Sequence, residues 1–168
     1  MMLTDDQARR ELTGIVENDG RYLDQGKWDE WLDLFAEDAV FWVPSWKNEQ
    51  ELTADPGREV SLIYYEGRKR LEERIWRARS GQSISSVPMV RTVHTISHVL
   101  VEGGENGRAT GSANWSVHMF DPRSRSQHIF FGFYEYRFVH SGERWLIGQK
   151  KIALLNDYIP TFIDFYTL

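Results

Sequence analysis

The stretch WDEWLDLFAEDAVFWVP, from Trp28 to Pro44, contains a change of period that indicates the fold. Four apolar residues first recur at the spacing of one helical stripe: Trp28, Trp31, Leu32 and Phe35. This spacing predicts a helix that continues through Glu37-Asp38. From Val40 to Val43 the residues are β-branched or aromatic, which predicts a short strand that Pro44 closes. The stretch therefore predicts an amphipathic helix lying against its own sheet.

The composition excludes several kinds of site. The chain has 168 residues, a net charge of −5 and no cysteine, so it cannot by itself build a thiol nucleophile, a zinc ribbon or a Rieske centre. Its basic residues are scattered, which disfavours nucleic acid as a partner. No stretch approaches the ~20 apolar residues of a membrane span, and the first residues lack the apolar core of a signal peptide. We expect a single cytoplasmic domain of residues 1–168.

The segments around the opening stretch predict two further helices and a long loop. Thr4 and Gln7 form a candidate capping box, and the helix behind it is predicted to run to about Gln25-Gly26. The polar loop from Ser45 to Glu59 is predicted to be exposed and is long enough to be a lid or an interface arm. A third helix is predicted from Glu66 to Ser80, with Leu71, Ile75 and Ala78 facing inward.

Four long strand patterns follow the helices. They cover about Val90–Glu102, Arg108–Phe120, Gln127–His140 and Arg144–Leu155. The turns between them are too short for crossover helices, so we predict an antiparallel meander. The fold class is α+β, with three N-terminal helices packed on a strongly curved antiparallel sheet. This pattern is similar to the cystatin-like, or NTF2-like, cone, in which helices close one side of the sheet and leave a pocket at the wide end.

The third of these strands is apolar on both faces. One set of side chains comprises Ile129, Phe131 and Phe133, and the opposite set comprises Phe130, Tyr134, Tyr136 and Phe138. The helices can cover one face. Large aromatic side chains on the other would exceed the ~300–600 Å² apolar patch usual on a monomer. We therefore hypothesise that the outer sheet face is a subunit interface. The alternative is that the sheet curls enough to bury both sets.

Candidate contact residues are large aromatic side chains, which must be buried in a core or against a neighbour, and arginines. They are Trp46, Arg68, Arg91, Phe130, Tyr134, Tyr136, Trp145 and Tyr158. Arginine can hold a carboxylate through two hydrogen bonds, and that carboxylate could belong to a substrate or to another chain. The apolar and aromatic segment from Asn156 to Leu168 is expected to dock on this subunit or on a neighbour.

The five histidines are the candidates for a catalytic or metal site. On a strand, His94 and His98 lie roughly 13 Å apart, whereas one metal ion needs both ring nitrogens within ~2.1 Å. They therefore cannot share an ion. A weaker possibility is an acid–base pocket in the cone, because burial moves side-chain pKa values toward neutral. Its candidates are Asp33, Tyr64, His94 and His118. We favour the alternative that each histidine is hydrogen-bonded to a neighbour or to solvent.

Four segments that span most of the chain in order carry a family likeness. They are DEWLDLFAEDAVFWVPSW (Asp29–Trp46), DPGREVSLIYYEGRKRLEERIWR (Asp55–Arg77), PMVRTVHTISHVLV (Pro88–Val101) and KKIALLNDYIPTFIDFY (Lys150–Tyr166). Together they resemble the small, or β, subunit of aromatic-ring-hydroxylating dioxygenases. Within that family the resemblance is greatest to the benzoate, toluate and anthranilate branch.

This resemblance implies a subunit without an active site of its own. In the family, a large α subunit carries the Rieske [2Fe–2S] cluster and a mononuclear Fe(II), and β subunits pack beneath it as a scaffold in an α3β3 assembly. The holoenzyme adds both atoms of O2 to an aromatic ring to give a cis-dihydrodiol, with electrons from NADH through a reductase. The expected partners are thus the α subunit and two further β copies. Trp46–Glu59 and Arg68–Arg79 are the expected contacts with the large subunit.

A second hypothesis is a stand-alone enzyme on the same cone, a dehydratase or isomerase similar to scytalone dehydratase or ketosteroid isomerase. The fold does not choose between the two hypotheses, because such folds host many functions. The enzyme hypothesis needs a closed, polar-lined pocket with a histidine–carboxylate pair. The subunit hypothesis needs an apolar outer sheet face and no such pocket.

Overall fold

The computed structural model describes residues 5–168, so Thr4 and the predicted capping box lie outside the described residues. This range folds into three α-helices and a six-stranded sheet with the strand order β2-β1-β6-β5-β4-β3. The helices are α1 (Asp5–Asp24), α2 (Trp28–Leu32) and α3 (Arg68–Arg79). The strands are β1 (Phe35–Pro44), β2 (Ser61–Glu66), β3 (Arg91–Gly103), β4 (Arg108–Asp121), β5 (Ser126–Ser141) and β6 (Arg144–Leu154).

The last four strands pair as the predicted antiparallel meander, and every strand end lies within one residue of its predicted position. Gly132 on β5 permits the closest approach in this meander, since a Cβ there would lie 1.8 Å from Ala153 O on β6. The sheet is not wholly antiparallel, because β1 runs parallel to β6. Many residues separate β1 from β6 in the sequence, so the chain can come back and pair with β1 in the parallel direction.

The helix predicted from Trp28 through Glu37-Asp38 is wrong in length. Helix α2 ends at Leu32, and β1 begins at Phe35. The N–H of Ile147 on β6 donates to Leu34 O at 2.7 Å, so the chain joins the sheet before a second helical turn forms. Phe35 is still buried as the stripe predicts, because it points into the core from the strand instead of from the helix.

Helix α3 is shorter than predicted at both ends. Glu66 is the last residue of β2, and Gly67 adopts a φ of 92° between the strand and the helix, a conformation that glycine takes without strain. The predicted inward residues Leu71, Ile75 and Ala78 are all buried. Helix α3 packs on β1 and β2, and α1 packs across β3, so the core lies between the helices and the inner face of the sheet.

Within residues 5–168, no helix combines the length and the apolar character that crossing a membrane would need.

Candidate subunit-contact surface and cone interior

The outer face of the sheet, turned away from the helices, carries an exposed apolar surface. On β5, the side chains of Ile129, Phe131 and Phe133 are 44%, 44% and 47% exposed. Val93 on β3 is exposed on the same face, because the strand register aligns it with His118 and, through it, with Ile129. Leu155, just after β6, is exposed beside them. We call Val93, Ile129, Phe131, Phe133 and Leu155 the outer patch.

Three of the predicted contact residues border the outer patch. Arg91 lies on β3 two residues before the patch begins and is exposed. Trp46 donates its Nε1–H to Leu154 O at 2.8 Å, next to the patch. Tyr158 is exposed, with its ring centroid 6.4 Å from that of His128, which precedes the patch on β5. Their role in subunit contact therefore stays a prediction.

The structure corrects the assignment of Phe130, Tyr134, Tyr136 and Trp145 to subunit contacts. All four are buried in the chain's own core, on the inner face of the sheet. A side chain without exposed surface has no area to bury against a neighbouring subunit. The alternation on β5 separates two apolar sets but does not indicate which one the helices cover, and this is the physical reason for the error.

The four residues of the alternative acid–base pocket do not come together. Asp33 forms a surface ion pair with Arg68 at 2.8 Å. Arg68, which is one of the predicted subunit contacts, is therefore paired within its own chain. Tyr64 is exposed on β2, and His118 is exposed on the outer face of β4. His94 instead faces the helices from β3. The structure therefore does not assemble the predicted pocket.

His94 has a different carboxylate partner, Asp24 at the end of α1. Its Nδ1 is hydrogen-bonded to Asp24 Oδ1, and its backbone N–H donates to Asp24 Oδ2 at 2.8 Å. Thr92 Oγ1 donates to the same carboxylate at 2.9 Å, and His94 Nε2 lies 3.3 Å from Leu168 O. Both ring nitrogens are thus engaged within the chain. This pair holds α1 against β3 and leaves no ring nitrogen free for a substrate.

A buried polar cluster lies inside the cone, at a place that the sequence analysis missed. Asp19 on α1 and Lys150 on β6 are both fully buried, with Asp19 Oδ2 2.7 Å from Lys150 Nζ. Tyr136 OH donates to Asp19 Oδ2 at 2.6 Å, and Trp31 Nε1 donates to Asp19 Oδ1 at 2.7 Å. Lys150 Nζ also lies 4.1 Å from the ring centroid of Tyr134. We call these five residues the buried cluster.

Burial and the Asp19 charge shift the pKa values in the buried cluster. Desolvation lowers the pKa of Lys150, and the nearby Asp19 carboxylate opposes this only in part. Desolvation raises the pKa of Tyr134 and of Tyr136 well above the ordinary value of a phenol, and the negative charge of Asp19 adds to the increase. Both phenols are therefore neutral at physiological pH. The cluster is closed to solvent, so it supports the fold and does not face a substrate.

Residues Asp164–Leu168 fill the inside of the cone beside α2 and α3, and we call them the plug. All five are buried. Asp164 Oδ2 accepts a hydrogen bond from Arg74 Nη2 at 2.6 Å, and Tyr166 OH lies 3.0 Å from Ser86 Oγ. Burial by itself lowers the pKa of Arg74, but the bond and charge of Asp164 outweigh burial and raise it. The plug is thus part of the chain's own interior.

Metal-ligating side chains are dispersed in the part of the chain that the structure describes. No group of three or more His, Asp or Glu residues within 5–168 is placed to hold a metal ion. The described residues therefore offer no ligand set that fits an iron centre.

Comparison with known proteins decides the family. The family model described as "Ring hydroxylating beta subunit" matches residues 18–161. The chain is 36% identical to the benzoate 1,2-dioxygenase subunit beta of Acinetobacter baylyi, over 98% of this chain and 96% of that protein. This chain belongs to the ring-hydroxylating β-subunit family. The resemblance drawn from the four sequence segments is thus confirmed.

Solved structures confirm the fold of this β-subunit family member. The chain is similar to the β subunit of the benzoate 1,2-dioxygenase from Burkholderia mallei, with a TM-score of 0.76, 33% identity, and coverage of 94% of this chain and 95% of that one. An NTF2-like protein with a cystatin-like fold from Novosphingobium aromaticivorans gives a TM-score of 0.64 at 16% identity, covering 89% and 83% of the two chains. The second likeness concerns the fold alone.

Two signals in the sequence of this β-subunit family member point to the buried cluster. Asp19 falls on the apolar stripe of α1, four residues before Leu23 and three after Val16. Lys150 falls on the inward row of β6, two residues before Ile152. A carboxylate on one apolar stripe and a lysine on another predict a buried pair, because neither charge is stable in a core alone.

Proposed function

We propose that this chain is the structural, non-catalytic small subunit of a Rieske-type aromatic-ring-hydroxylating dioxygenase. Three copies form a homotrimer beneath three catalytic α subunits, in the cytoplasm. The α subunit carries the [2Fe–2S] cluster and the mononuclear Fe(II), and electrons come from NADH through a reductase. The substrate is a benzoate-like aromatic acid that becomes a cis-dihydrodiol. The identity to a benzoate 1,2-dioxygenase subunit beta supports this choice.

The outer patch is the observation that carries the proposal. Phe131 and Phe133 leave nearly half of their side-chain surface in water, next to three further exposed apolar residues. Contiguous apolar surfaces of this kind mark sites of protein association. Subunits of a cyclic trimer meet through two different surfaces on each copy, because such contacts are heterologous. The outer patch with its border residues Trp46, Arg91 and Tyr158 supplies one of them.

Two other surfaces suit contact with the α subunit. The loop between β1 and β2 has a shape fixed by its own hydrogen bonds, since Glu59 Oε1 accepts the N–H groups of Asp55 and Ala54 at 2.9 and 2.8 Å. It is therefore a preformed arm, which loses little entropy on docking. On α3, Trp76 is 59% exposed. An exposed tryptophan on a rigid helix is typical of the anchors of protein interfaces.

The enzyme hypothesis is not favoured. The family match covers most of the chain, and the plug is buried in the chain's own interior. A groove of about 610 Å³ is present, but it opens to solvent and is lined by Asp38, Glu102, Arg108 and Arg137. None of the four residues of the predicted acid–base pocket lines it.

Co-expression with a Rieske-type α subunit tests the proposal. The tagged α subunit is captured, the amount of this chain that co-purifies is measured, and oxygen uptake is followed with a benzoate-like acid, NADH and reductase. We expect co-purification and substrate-dependent uptake. Trp76→Ala should weaken co-purification by about tenfold, whereas Leu100→Ala, similarly exposed but on the edge strand β3, should not. Failure of the unaltered chain to co-purify, together with turnover by the chain alone, would favour the enzyme hypothesis.

A further inference from the structure

The solvent-open groove of about 610 Å³ crosses the outer face of the sheet, toward the end of β5 that lies away from the outer patch. Its central charged residues are Arg137 on β5 and Arg108 on β4. Glu102 on β3 and Asp38 on β1 lie at its two sides. In the direction across the strands, the groove is therefore positive in the middle and negative at both ends.

Two irregular strand pairings and a glycine give the groove its floor. Gly148 is an extra residue on β6 that no residue of β5 opposes, so β6 bulges there. The pairing of β1 with the same part of β6 also shifts, between Phe35 and Val40. A Cβ at Gly148 would lie 3.3 Å from Val139 Cγ1. Because glycine has no side chain, the floor stays open and can receive an apolar group from another surface.

The four charged side chains of the groove have no counter-charge of their own. All four are exposed, and within residues 5–168 none of them forms an ion pair. Charges elsewhere on this face do pair, since Lys151 Nζ lies 3.2 Å from Glu135 Oε2. The unpaired charges of the groove are thus available to a surface with the complementary arrangement.

The segment just after β6 presents a complementary pair of residues at the other end of the sheet. Leu155 belongs to the outer patch and is 37% exposed, and Asp157 is exposed as well. Asn156 between them is turned back onto β5, where its Oδ1 accepts the N–H of Phe131 at 3.0 Å. This bond holds Leu155 and Asp157 close together at the surface. Asp157 also forms no ion pair within the described range 5–168.

Arg91 adds a positive charge on the other side of the outer patch, at a matching distance. It is exposed, and its guanidinium lies 5.7 Å from the ring centroid of Phe120. Arg91 on β3 is three strands away from Asp157, which follows β6, and this corresponds to about 14 Å across the sheet. In the groove, Glu102 is two strands away from Arg137, or about 10 Å. The long side chain of Arg91 can make up the difference.

We infer that the groove of one copy receives Leu155 and Asp157 of a second copy of this chain. The Asp157 carboxylate binds the two central arginines, and Leu155 covers the glycine floor. Arg91 of the second copy meets Glu102 at the side of the groove. Because the two surfaces differ, the contact is heterologous, and each copy can give one and receive one, as a ring of three requires. The inference rests on the proposed homotrimer and specifies its second surface.

Charge reversal on either side of the contact, and then on both, tests the pairing in the full chain. Arg137→Glu reverses a charge of the groove, Asp157→Lys reverses the charge that enters it, and Arg137→Glu/Asp157→Lys exchanges the two. Arg10→Glu, an exposed arginine on α1, is the matched control. Light scattering during size-exclusion chromatography measures the mass over a range of concentrations, and circular dichroism checks that each variant is folded.

We expect each single reversal to raise the concentration at which the trimer dissociates by about a hundredfold or more, because like charges then face each other. The exchange variant should regain about tenfold or more of this loss, since every contact again joins opposite charges. Arg10→Glu should behave as the unaltered chain does. If a reversal does not fold, Arg137→Gln and Asp157→Asn remove the charges instead, and each should raise the dissociation concentration by about tenfold.

The outcomes separate this inference from the proposed function. If the unaltered chain is a trimer and the single variants dissociate no more readily than it does, the inference is overturned and the homotrimer stands. If both single reversals dissociate and the exchange variant does not recover, the pairing of these two residues is overturned. Equal dissociation of Arg10→Glu would overturn it too, since any change of charge would then suffice. An unaltered chain that stays a monomer overturns both the inference and the homotrimer.

Discussion

The two faces of β5 are alike in composition and opposite in surroundings. The inner set, Phe130, Tyr134 and Tyr136, is at most 1% exposed, and the outer set, Ile129, Phe131 and Phe133, is 44–47% exposed. Hydrophobicity alone therefore does not decide which face becomes core. The difference arises from what each face meets, because helices cover the inner set and nothing within residues 5–168 covers the outer one.

The buried cluster gives the inner face a partner that the outer face lacks. Asp19 reaches from α1 to Lys150 on β6 and to Tyr136 on β5, so one helical carboxylate ties two strands from the inside. A lysine in a core needs a buried counter-charge, and this requirement directs the row of β6 that carries Lys150 toward α1. The outer patch has no such anchor. We propose that a surface of another subunit covers it.

The largest effect is expected from Asp19→Ala. This change leaves Lys150 without a counter-charge, and Tyr136 and Trp31 without an acceptor. We expect the free energy of unfolding to fall by about 5 kcal/mol, which can unfold the chain. Urea denaturation followed by circular dichroism measures it. As a control, Asp19→Leu/Lys150→Met removes both charges and should be markedly more stable than Asp19→Ala. If the free energy of unfolding of Asp19→Ala were nearly unchanged, the buried cluster would not determine which face of the sheet is buried.

Neighbouring alanine substitutions on β5 compare the two faces directly. Phe130→Ala should cost about 3–5 kcal/mol of unfolding free energy, because it opens a cavity in the core. Phe131→Ala should cost less than about 1 kcal/mol in the isolated protomer, since its ring is half in water. Urea unfolding at low protein concentration measures both. Equal costs would mean that the two faces are equally covered within one chain.

Alkaline pH should weaken the inner face. Burial and Asp19 raise the pKa of Tyr134 and of Tyr136 far above that of a free phenol. The folded state therefore retains protons that the unfolded state releases, and stability that is complete below about pH 10 is lost as the pH rises further. The lowered pKa of Lys150 has the opposite effect, because it makes stability rise with pH up to the ordinary pKa of lysine. We expect the two phenols to outweigh it.

Phenolate absorbance and urea unfolding across alkaline pH measure this effect. Of the seven tyrosines, at least Tyr134 and Tyr136 should ionise only as the chain unfolds. Tyr136→Phe should reduce the loss of stability above pH 10, because it removes one of the two retained protons. Ionisation of all seven tyrosines in the folded chain would contradict the description of the inner face.

The smallest effect is expected in the loop beside the outer face. The two backbone hydrogen bonds from Asp55 and Ala54 lower the pKa of Glu59. Glu59→Gln should therefore speed hydrogen exchange at these two amides and leave the rest of the chain unchanged. Acidification of the unaltered chain should lower the protection of these two amides relative to their intrinsic exchange rates, since a lowered carboxyl pKa stabilises the loop above the ordinary value and the effect is lost as pH falls. Unchanged exchange would mean that the arm is not preformed by Glu59.

Local pattern was sufficient to predict the strands of the meander and the residues that face inward from α3. The length of α2 could not be predicted, because a hydrogen bond from Ile147 to Leu34 stops it, and such a pairing is invisible to helical spacing. The parallel pairing of β1 with β6 was missed for the same reason. Contacts between distant segments override local propensity.

The site was less predictable than the fold. The two-sided character of β5 indicates that a second surface exists, but not which set forms it, so Phe130, Tyr134 and Tyr136 were assigned to the wrong face. The plug was foreseen as a docked segment, because aromatic residues rarely remain free near a terminus. Its partners Arg74 and Trp31 could not be identified, since they come from helices far away in the sequence.

The mass of the chain in solution tests most directly whether the outer patch is a subunit contact. Light scattering during size-exclusion chromatography should give three times the mass of one chain. Phe131→Glu should give a single folded chain, because it places a charge in the patch, and Arg10→Glu, exposed on α1 outside the patch, should still give three. A folded, unaltered chain that remains a monomer at every concentration would contradict the account.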